Sequence, residues 1–318
     1  VEVDQLVSIV LIGDLSPRQY EVWREALRTH LPRGETLVLA PEVGDKSTVE
    51  IALAANPPRG ELAKYPHLRF IQSLWAGVDR LLSDPTLPES IPVARLIDPE
   101  MAQSMLETVV ATTLFVHRQF PAYLHQQARA LWRELPQPTA TRCKVGILGY
   151  GQMGRPAASA LAALGFQVSA WGQHARSDAT VDYSWGAAGL ERTVTDTQIL
   201  INLLPLTQTT TGILDARLFA KLRAGAAVIN LGRGGHLNEE DLLGCLQARQ
   251  IGHAVLDVFQ QEPLATEHPF WSHPRITVLP HVAASTDPQS AAPLALANVA
   301  AFRAGRPLNG VVSRERGY

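Results

Sequence analysis

The sequence predicts an α/β protein of two Rossmann-like, doubly wound parallel-sheet domains with a cleft between them. Three observations point there. Short apolar runs rich in β-branched residues alternate with helical patterns, which is how strands covered on both faces by crossover helices read. The alternation begins afresh after Glu134-Leu135-Pro136-Gln137-Pro138-Thr139-Ala140, a proline-containing connection. The length of 318 residues suits two domains, at roughly 100–200 residues each.

In the first half, strands are predicted near 6–12, 36–39, 49–54, 68–73 and 92–97, with a helix near 17–30 between the first two. A long helix should begin at Asp98-Pro99. The aspartate can accept hydrogen bonds from orphan N–H groups, and proline suits a first helical position that needs no donor. Met105, Leu106, Val109, Val110 and Leu114 then keep helical spacing. In the second half a strand at 144–148 leads into a glycine-rich turn and a helix near 152–164. Strands follow near 167–171, 198–203, 226–231, 253–257 and 276–279, and an alanine-rich helix near 288–304 stops before Gly305. The expected domains are a flavodoxin-like substrate domain at 1–98, completed by 286–318, and a dinucleotide-binding domain at 99–285.

Composition excludes several functions. Apolar residues at 46% and charged residues at 18% are too apolar for long disorder. The 28 basic and 30 acidic residues leave a net charge of −2, so no basic face awaits nucleic acid. No run of about 18 uncharged apolar residues offers a membrane span. The acidic start Val1-Glu2-Val3-Asp4 lacks the basic character of a signal peptide, and Cys143 and Cys245 are the two cysteines. A reduced, cytoplasmic setting is expected, with both thiols as small buried hydrophobes. No metal site is read, because His268, His273 and His281 lack ligand spacing.

The glycine turn is the first chemical signal. Cys143-Lys144-Val145-Gly146-Ile147-Leu148 runs into Gly149-Tyr150-Gly151-Gln152-Met153-Gly154. In G-x-G-x-x-G after a strand and opening a helix, the first glycine makes the tight turn. The second lets a pyrophosphate approach the backbone, and the third lets helix and strand pack. Free N–H groups of the helix start then meet the phosphates. Where the next strand ends, an NAD site places a carboxylate for the ribose. Here stand Trp171-Gly172-Gln173-His174-Ala175-Arg176, and no carboxylate appears before Asp178. His174 and Arg176 are candidates for a 2′-phosphate instead, so NADPH is the expected cofactor, with NADH possible.

Three later segments each follow a predicted strand, where open α/β sheets bind ligands. Leu231-Gly232-Arg233-Gly234-Gly235 offers an arginine fork that can grip a carboxylate with two parallel bonds. Asp257-Val258-Phe259-Gln260-Gln261-Glu262-Pro263 offers a carboxylate, and Leu279-Pro280-His281-Val282-Ala283-Ala284 a histidine. A histidine with a glutamate in reach makes a proton donor whose charged form is held by its partner.

These segments resemble the signatures of the D-2-hydroxyacid dehydrogenases. Asn202-Leu203-Leu204-Pro205-Leu206-Thr207, with Thr210 and Gly212, resembles another family segment, and Trp75-Ala76-Gly77-Val78-Asp79 resembles the family's substrate loop. The resemblance covers residues from about 68 to the end, and more loosely from residue 1. Ala130-Leu131-Trp132, the 254–264 segment and the ending Arg316-Gly317-Tyr318 bring the chain nearest to family members that reduce glyoxylate and hydroxypyruvate. By this resemblance Arg233, Glu262 and His281 are catalytic. Arg233 holds the substrate carboxylate and carbonyl oxygen, His281 donates the proton, and Glu262 keeps His281 charged and oriented. Trp75, Ala76, Gly77 and Val78 bind substrate with Arg233 and His281, through a nest of backbone N–H groups. The cofactor is expected on Gly149, Gly151, Gln152, Met153 and Gly154, and on Trp171, Gly172, Gln173, His174 and Arg176. Leu203, Leu204, Pro205, Thr210, Leu231, Gly232 and Asp257 complete that set. The resemblance also implies a homodimer, with Trp132 either walling the neighbouring subunit's site or packing in the core.

Rival functions make distinct demands. A bulkier, phenylpyruvate-type ketoacid would use Trp75 as a stacking partner. A nucleotide-sensing binding protein of the corepressor kind would show weak turnover and has no need of Arg233, Glu262 and His281 together. An S-adenosylmethionine-dependent methyltransferase leaves that set unexplained.

Overall fold

The computed structural model describes residues 9–177 and 179–318. It divides into two compact units: one runs to Met101 and resumes over Thr286–Tyr318, and the other is Ala102–Ser285.

The first unit is built on a five-stranded parallel sheet. Its elements are β1 (Ile9–Gly13), α1 (Pro17–Arg28), β2 (Leu37–Leu39), β3 (Ile51–Ala55), β4 (Phe70–Ser73), α2 (Asp79–Leu82) and β5 (Val93–Ala94). The strand order is β2-β1-β3-β4-β5. That is a doubly wound sheet whose order reverses beside β1. β3, Ile-Ala-Leu-Ala-Ala, is buried at every position because it lies between two strands and two covered faces. α1 starts where the sequence can satisfy it. Ser16 accepts from the Gln19 N–H, the Gln19 side chain answers at the Ser16 N–H, and Pro17 takes the first turn. Its buried face is Trp23, Ala26 and Leu27. The final helix of the chain, Pro288–Arg303, packs against α1 and β4. Arg303 in its last turn pairs with Glu35 and Glu50.

The second unit carries a seven-stranded parallel sheet. After α3 (Pro99–His117) and α4 (Phe120–Gln127) come β6 (Lys144–Leu148), α5 (Gly154–Ala163), β7 (Gln167–Gly172), β8 (Asp182–Trp185) and α6 (Gly186–Val194). Then follow β9 (Ile199–Asn202), α7 (Ala216–Phe219), β10 (Ala226–Asn230), α8 (Glu239–Gln247), β11 (Ile251–Leu256) and β12 (Ile276–Val278), after which the chain returns to the first unit in its final helix, α9. The order β12-β11-β10-β9-β6-β7-β8 puts the topological reversal between β6 and β9. Ligands bind at such a reversal, outside the carboxyl ends of the strands. One apolar layer joins Val145, Ile147, Ala157, Leu161 and Val168. The layer on the opposite face includes Leu200, Phe219, Leu242 and Phe270.

Several expectations shift. Of the strand expected at 6–12, residues 6–8 lie outside the described residues, and the strand runs Ile9–Gly13. β5 is two residues rather than six, because the Arg95 and Leu96 N–H groups turn to the carbonyls of Gly310 and Trp75. β8 was not expected: it is a short edge strand, Asp-Tyr-Ser-Trp, in which Ser184 alone is buried. Cys143 is buried, and its thiol is pushed up to about 11 by burial. Cys245 is only half-buried, because it lies on α8 beside the buried stripe of Leu242 and Leu246. Among the described residues no helix is long and apolar enough to cross a membrane.

Candidate active site

The glycine turn closes the end of β6 in the geometry a dinucleotide needs. Gly149 has φ +102°, and a Cβ there would lie 2.7 Å from the Leu203 carbonyl oxygen. A Cβ on Gly154 would lie 1.9 Å from the Gly149 oxygen. The first and third glycines are therefore required by the protein's own packing. Gly151 differs: a Cβ there would meet nothing within 4 Å. Met153 precedes α5 without a side-chain cap, and the Arg155 N–H of the first helical turn donates to the Gly151 carbonyl at 3.1 Å. The turn fits a pyrophosphate at Gly151.

β7 ends beside this turn, its Trp171 carbonyl accepting from the Gly149 N–H at 2.9 Å. The Trp171 indole is buried in the core and donates to the Gly186 carbonyl at 2.8 Å. Gly172 carries no carboxylate, and a Cβ there would stand 2.6 Å from the Tyr183 hydroxyl, which itself donates to the His174 carbonyl. Gln173 reaches across to Thr209. Arg176 turns toward the glycine turn, donating to the Tyr150 carbonyl at 3.2 Å, with its guanidinium 6.0 Å from the Tyr150 ring centre. Arg155, on the first turn of α5, stands 5.9 Å from the same ring. Sequence reasoning missed this second arginine, and its signal was an arginine directly after the third glycine. Asp178 lies outside the described residues.

The loop after β9 comes next along the sheet. Leu203 takes its place by donating its N–H to the Leu148 carbonyl. Leu204 and Leu231 are buried in the unit's core clusters or against them. The Thr210 hydroxyl donates to the Pro205 carbonyl at 2.7 Å and accepts from the Thr207 N–H. Thr210 therefore helps hold the loop's shape.

Arg233, Glu262 and His281 come from the ends of β10, β11 and β12. Gly234 brings the first two loops together, since a Cβ there would overlap the Phe259 backbone at 1.9 Å. Glu262 is held at both oxygens. One accepts from the Phe259 N–H at 3.0 Å and the other from His281 Nδ1 at 2.7 Å. Nδ1 of His281 faces the carboxylate, so its other ring nitrogen, Nε2, is not engaged by Glu262. The Glu262 hydrogen bond raises the His281 pKa above its usual value against the opposing effects of burial and Arg233. Burial pushes Glu262 up, but the bonds from His281 and Phe259 outweigh it and hold the carboxyl below its usual range. Both shifts favour the charged pair. His281 is in the left-handed region at φ +55°, a strained conformation for such a residue. Asp257 holds it there. Its backbone carbonyl accepts from the His281 N–H, and its two carboxylate oxygens accept from Val282 and Ala283 at 2.8 and 3.0 Å. Asp257 is itself buried, and burial raises its pKa despite those amide bonds. The structure thus gives Asp257 a positioning task at the histidine loop that sequence reasoning had not assigned.

In the first unit, the Trp75–Val78 loop leaves the carboxyl end of β4. The Trp75 N–H and carbonyl are both tied to the Ser73 hydroxyl, and the indole packs edge-on to Trp23 at 6.0 Å. Val78 is buried. Trp132 is 96% exposed, so core packing within this chain is ruled out for it.

Residues 110–283 match the family model described as D-isomer specific 2-hydroxyacid dehydrogenase, NAD binding domain. The chain is 41% identical to glyoxylate/hydroxypyruvate reductase A of Yersinia enterocolitica, over 93% of this chain and 96% of that one. The same enzyme of Serratia proteamaculans is 41% identical over 94% and 96%. A D-isomer specific 2-hydroxyacid dehydrogenase from Xanthobacter autotrophicus, solved with NADPH and MES, superposes with a TM-score of 0.92 at 33% identity, covering 98% of this chain and 99% of that one. An NADPH-dependent glyoxylate/hydroxypyruvate reductase from Sinorhizobium meliloti, solved with NADP and sulfate, gives 0.91 at 36% identity over 98% and 100%.

Proposed function

The chain belongs to the D-isomer-specific 2-hydroxyacid dehydrogenases, and from that premise we propose that it reduces small 2-ketoacids, glyoxylate and hydroxypyruvate, with NADPH as preferred cofactor. The observation that carries the proposal is the Glu262–His281 hydrogen bond at 2.7 Å, which shifts both groups toward their charged forms, with Arg233 near enough to act on both. The dinucleotide, when bound, supplies the hydride. His281 Nε2 donates a proton to the substrate's carbonyl oxygen, and Glu262 keeps the ring protonated and aimed. Arg233 grips the substrate carboxylate with a planar fork that a lysine lacks. Two cationic groups thus face the oxygen on which charge develops, which favours the transition state over the ground state. In the first unit, backbone N–H groups around Ala76, Gly77 and Val78 supply an anion nest.

NADPH is favoured because Gly172 offers no carboxylate to repel a 2′-phosphate, and Arg176 and His174 stand close behind it in the chain. The NADPH- and NADP-bound relatives support this choice. We also propose a cytoplasmic homodimer that covers the exposed Phe120, Leu124, Leu131 and Trp132, and its mass by light scattering tests it. A steady-state panel of glyoxylate, hydroxypyruvate and phenylpyruvate with each cofactor tests the function. The two small acids with NADPH should give the highest kcat/KM. Preference for phenylpyruvate would transfer the assignment to bulkier ketoacids, and no turnover would favour a nucleotide-sensing role.

A further inference from the structure

Beneath Arg233 lies a polar network that the catalytic set does not include. His236 is fully buried at the end of the short turn that follows Arg233. Its Nδ1 receives two donors, the Arg233 backbone N–H at 3.1 Å and the Asn202 side-chain amide at 2.9 Å. An imidazole nitrogen that accepts carries no proton, so the neutral ring bears its hydrogen on Nε2. That atom is 3.2 Å from the Pro205 carbonyl, to which it donates. The rest of the network is consistent with this arrangement. Asn202 also donates to the Asn230 side-chain oxygen at 2.9 Å, and the Asn230 amide donates to the Arg233 carbonyl at 3.2 Å. Both backbone polar groups of Arg233 are therefore held by buried side chains. Gly232 admits them at close quarters, since a Cβ there would stand 2.8 Å from the Asn202 amide and 3.1 Å from His236 Nδ1.

We propose that His236 is a positioning residue that sets Arg233 for the ketoacid through Nδ1, and ties it to the cofactor loop at Pro205 through Nε2. This rests on the assignment of Arg233 as the carboxylate clamp. Backbone anchoring matters because a reacting or gripping group displaced by about 1 Å can lose on the order of 10²-fold in rate. Arg233 has an extended backbone, φ −142° and ψ 151°, and its guanidinium donates to the Gly232 carbonyl at 2.8 Å. The fork therefore follows wherever this stretch of backbone is placed. His236 is held in one tautomer by partners on both sides.

The test uses two half-mimics. His236→Asn keeps an acceptor at the Nδ1 position and loses the Nε2 donor. His236→Gln keeps a donor near Nε2 and loses the Nδ1 acceptor. With saturating NADPH, His236→Gln should raise the glyoxylate KM by about 10-fold or more, while His236→Asn stays within about 3-fold of the native value. Equal losses in both variants would reduce His236 to packing and overturn the proposal, as would a native KM in His236→Gln. Arg233→Lys is run beside them. Near-native activity in that variant defeats the clamp assignment itself, whereas its loss beside an unaffected His236→Gln defeats only the role of His236. If neither half-mimic folds, 15N NMR of the native protein decides. A neutral ring with a non-protonated Nδ1 and a protonated Nε2 is expected, and a neutral ring protonated on Nδ1 contradicts the network.

Discussion

Gly151→Ala and Gly154→Ala should fail in different ways. At position 154 the new Cβ would lie 1.9 Å from the Gly149 carbonyl oxygen, against the more than 3 Å or so that van der Waals contact allows. The neighbour is backbone, so strand and helix must separate by about 1 Å. Overpacking of this kind costs about 1–3 kcal/mol or somewhat more. In a unit of this size that lowers Tm by about 2–12 °C. At position 151 the Cβ enters open space, and stability should stay within about 0.5 kcal/mol of native. The methyl instead occupies the approach of the pyrophosphate, and the KM for NADPH should rise by about 10-fold or more, equivalent to about 1.4 kcal/mol. Thermal denaturation without cofactor and steady-state titration of NADPH at saturating glyoxylate measure both effects. Native NADPH affinity in a stable Gly151→Ala protein would refute the placement of the pyrophosphate. An unchanged Tm in Gly154→Ala would refute the packing argument.

Arg233→Lys should lower kcat/KM for glyoxylate by on the order of 10²-fold, or about 2.7 kcal/mol, because an ammonium makes no planar fork; steady-state kinetics show it. Asp257→Asn turns an NH2 toward the donors Val282 or Ala283. About 1–3 kcal/mol of stability should go with it, seen in a lower denaturant midpoint. NADPH should exceed NADH in kcat/KM by about 10-fold, the value of a charge-assisted bond of about 1.4 kcal/mol. Arg176→Ala should reduce NADPH use and spare NADH. An equal loss with both cofactors would mean that Arg176 only braces the Tyr150 carbonyl. This variant is cleaner than Gly172→Asp, whose Cβ would displace the Tyr183 hydroxyl.

Much of the site was legible in the sequence because its parts lie at strand ends in recognisable local patterns. The glycine turn and the Arg233 loop each follow a buried apolar strand that fixes where the chain must emerge, and the His281 loop follows the short, half-buried edge strand β12. The start of α3 was legible from Asp98, whose carboxylate accepts from the Glu100 N–H as expected of a cap. What escaped was set by partners distant in the chain. β8 has no apolar run to mark it and exists by pairing with β7. Asp257 read as a possible cofactor ligand, and its grip on residues 282 and 283 appears only once β11 and β12 lie side by side. His236 read as nothing in particular, because the donors that define it come from Asn202 and from Arg233's own backbone.

The central claim is that His281, held charged by Glu262, is the proton donor. Reduction requires the protonated ring, whose pKa the Glu262 bond raises. Activity should therefore be full at lower pH and fall as pH rises through that raised value. Removing the carboxylate's charge removes the cause of the shift, so Glu262→Gln should lose activity at a lower pH than the native enzyme. The measurement is the pH profile of kcat/KM for glyoxylate reduction by the two proteins. A downward displacement of the falling limb in Glu262→Gln is the predicted result, and superimposable profiles would contradict the account.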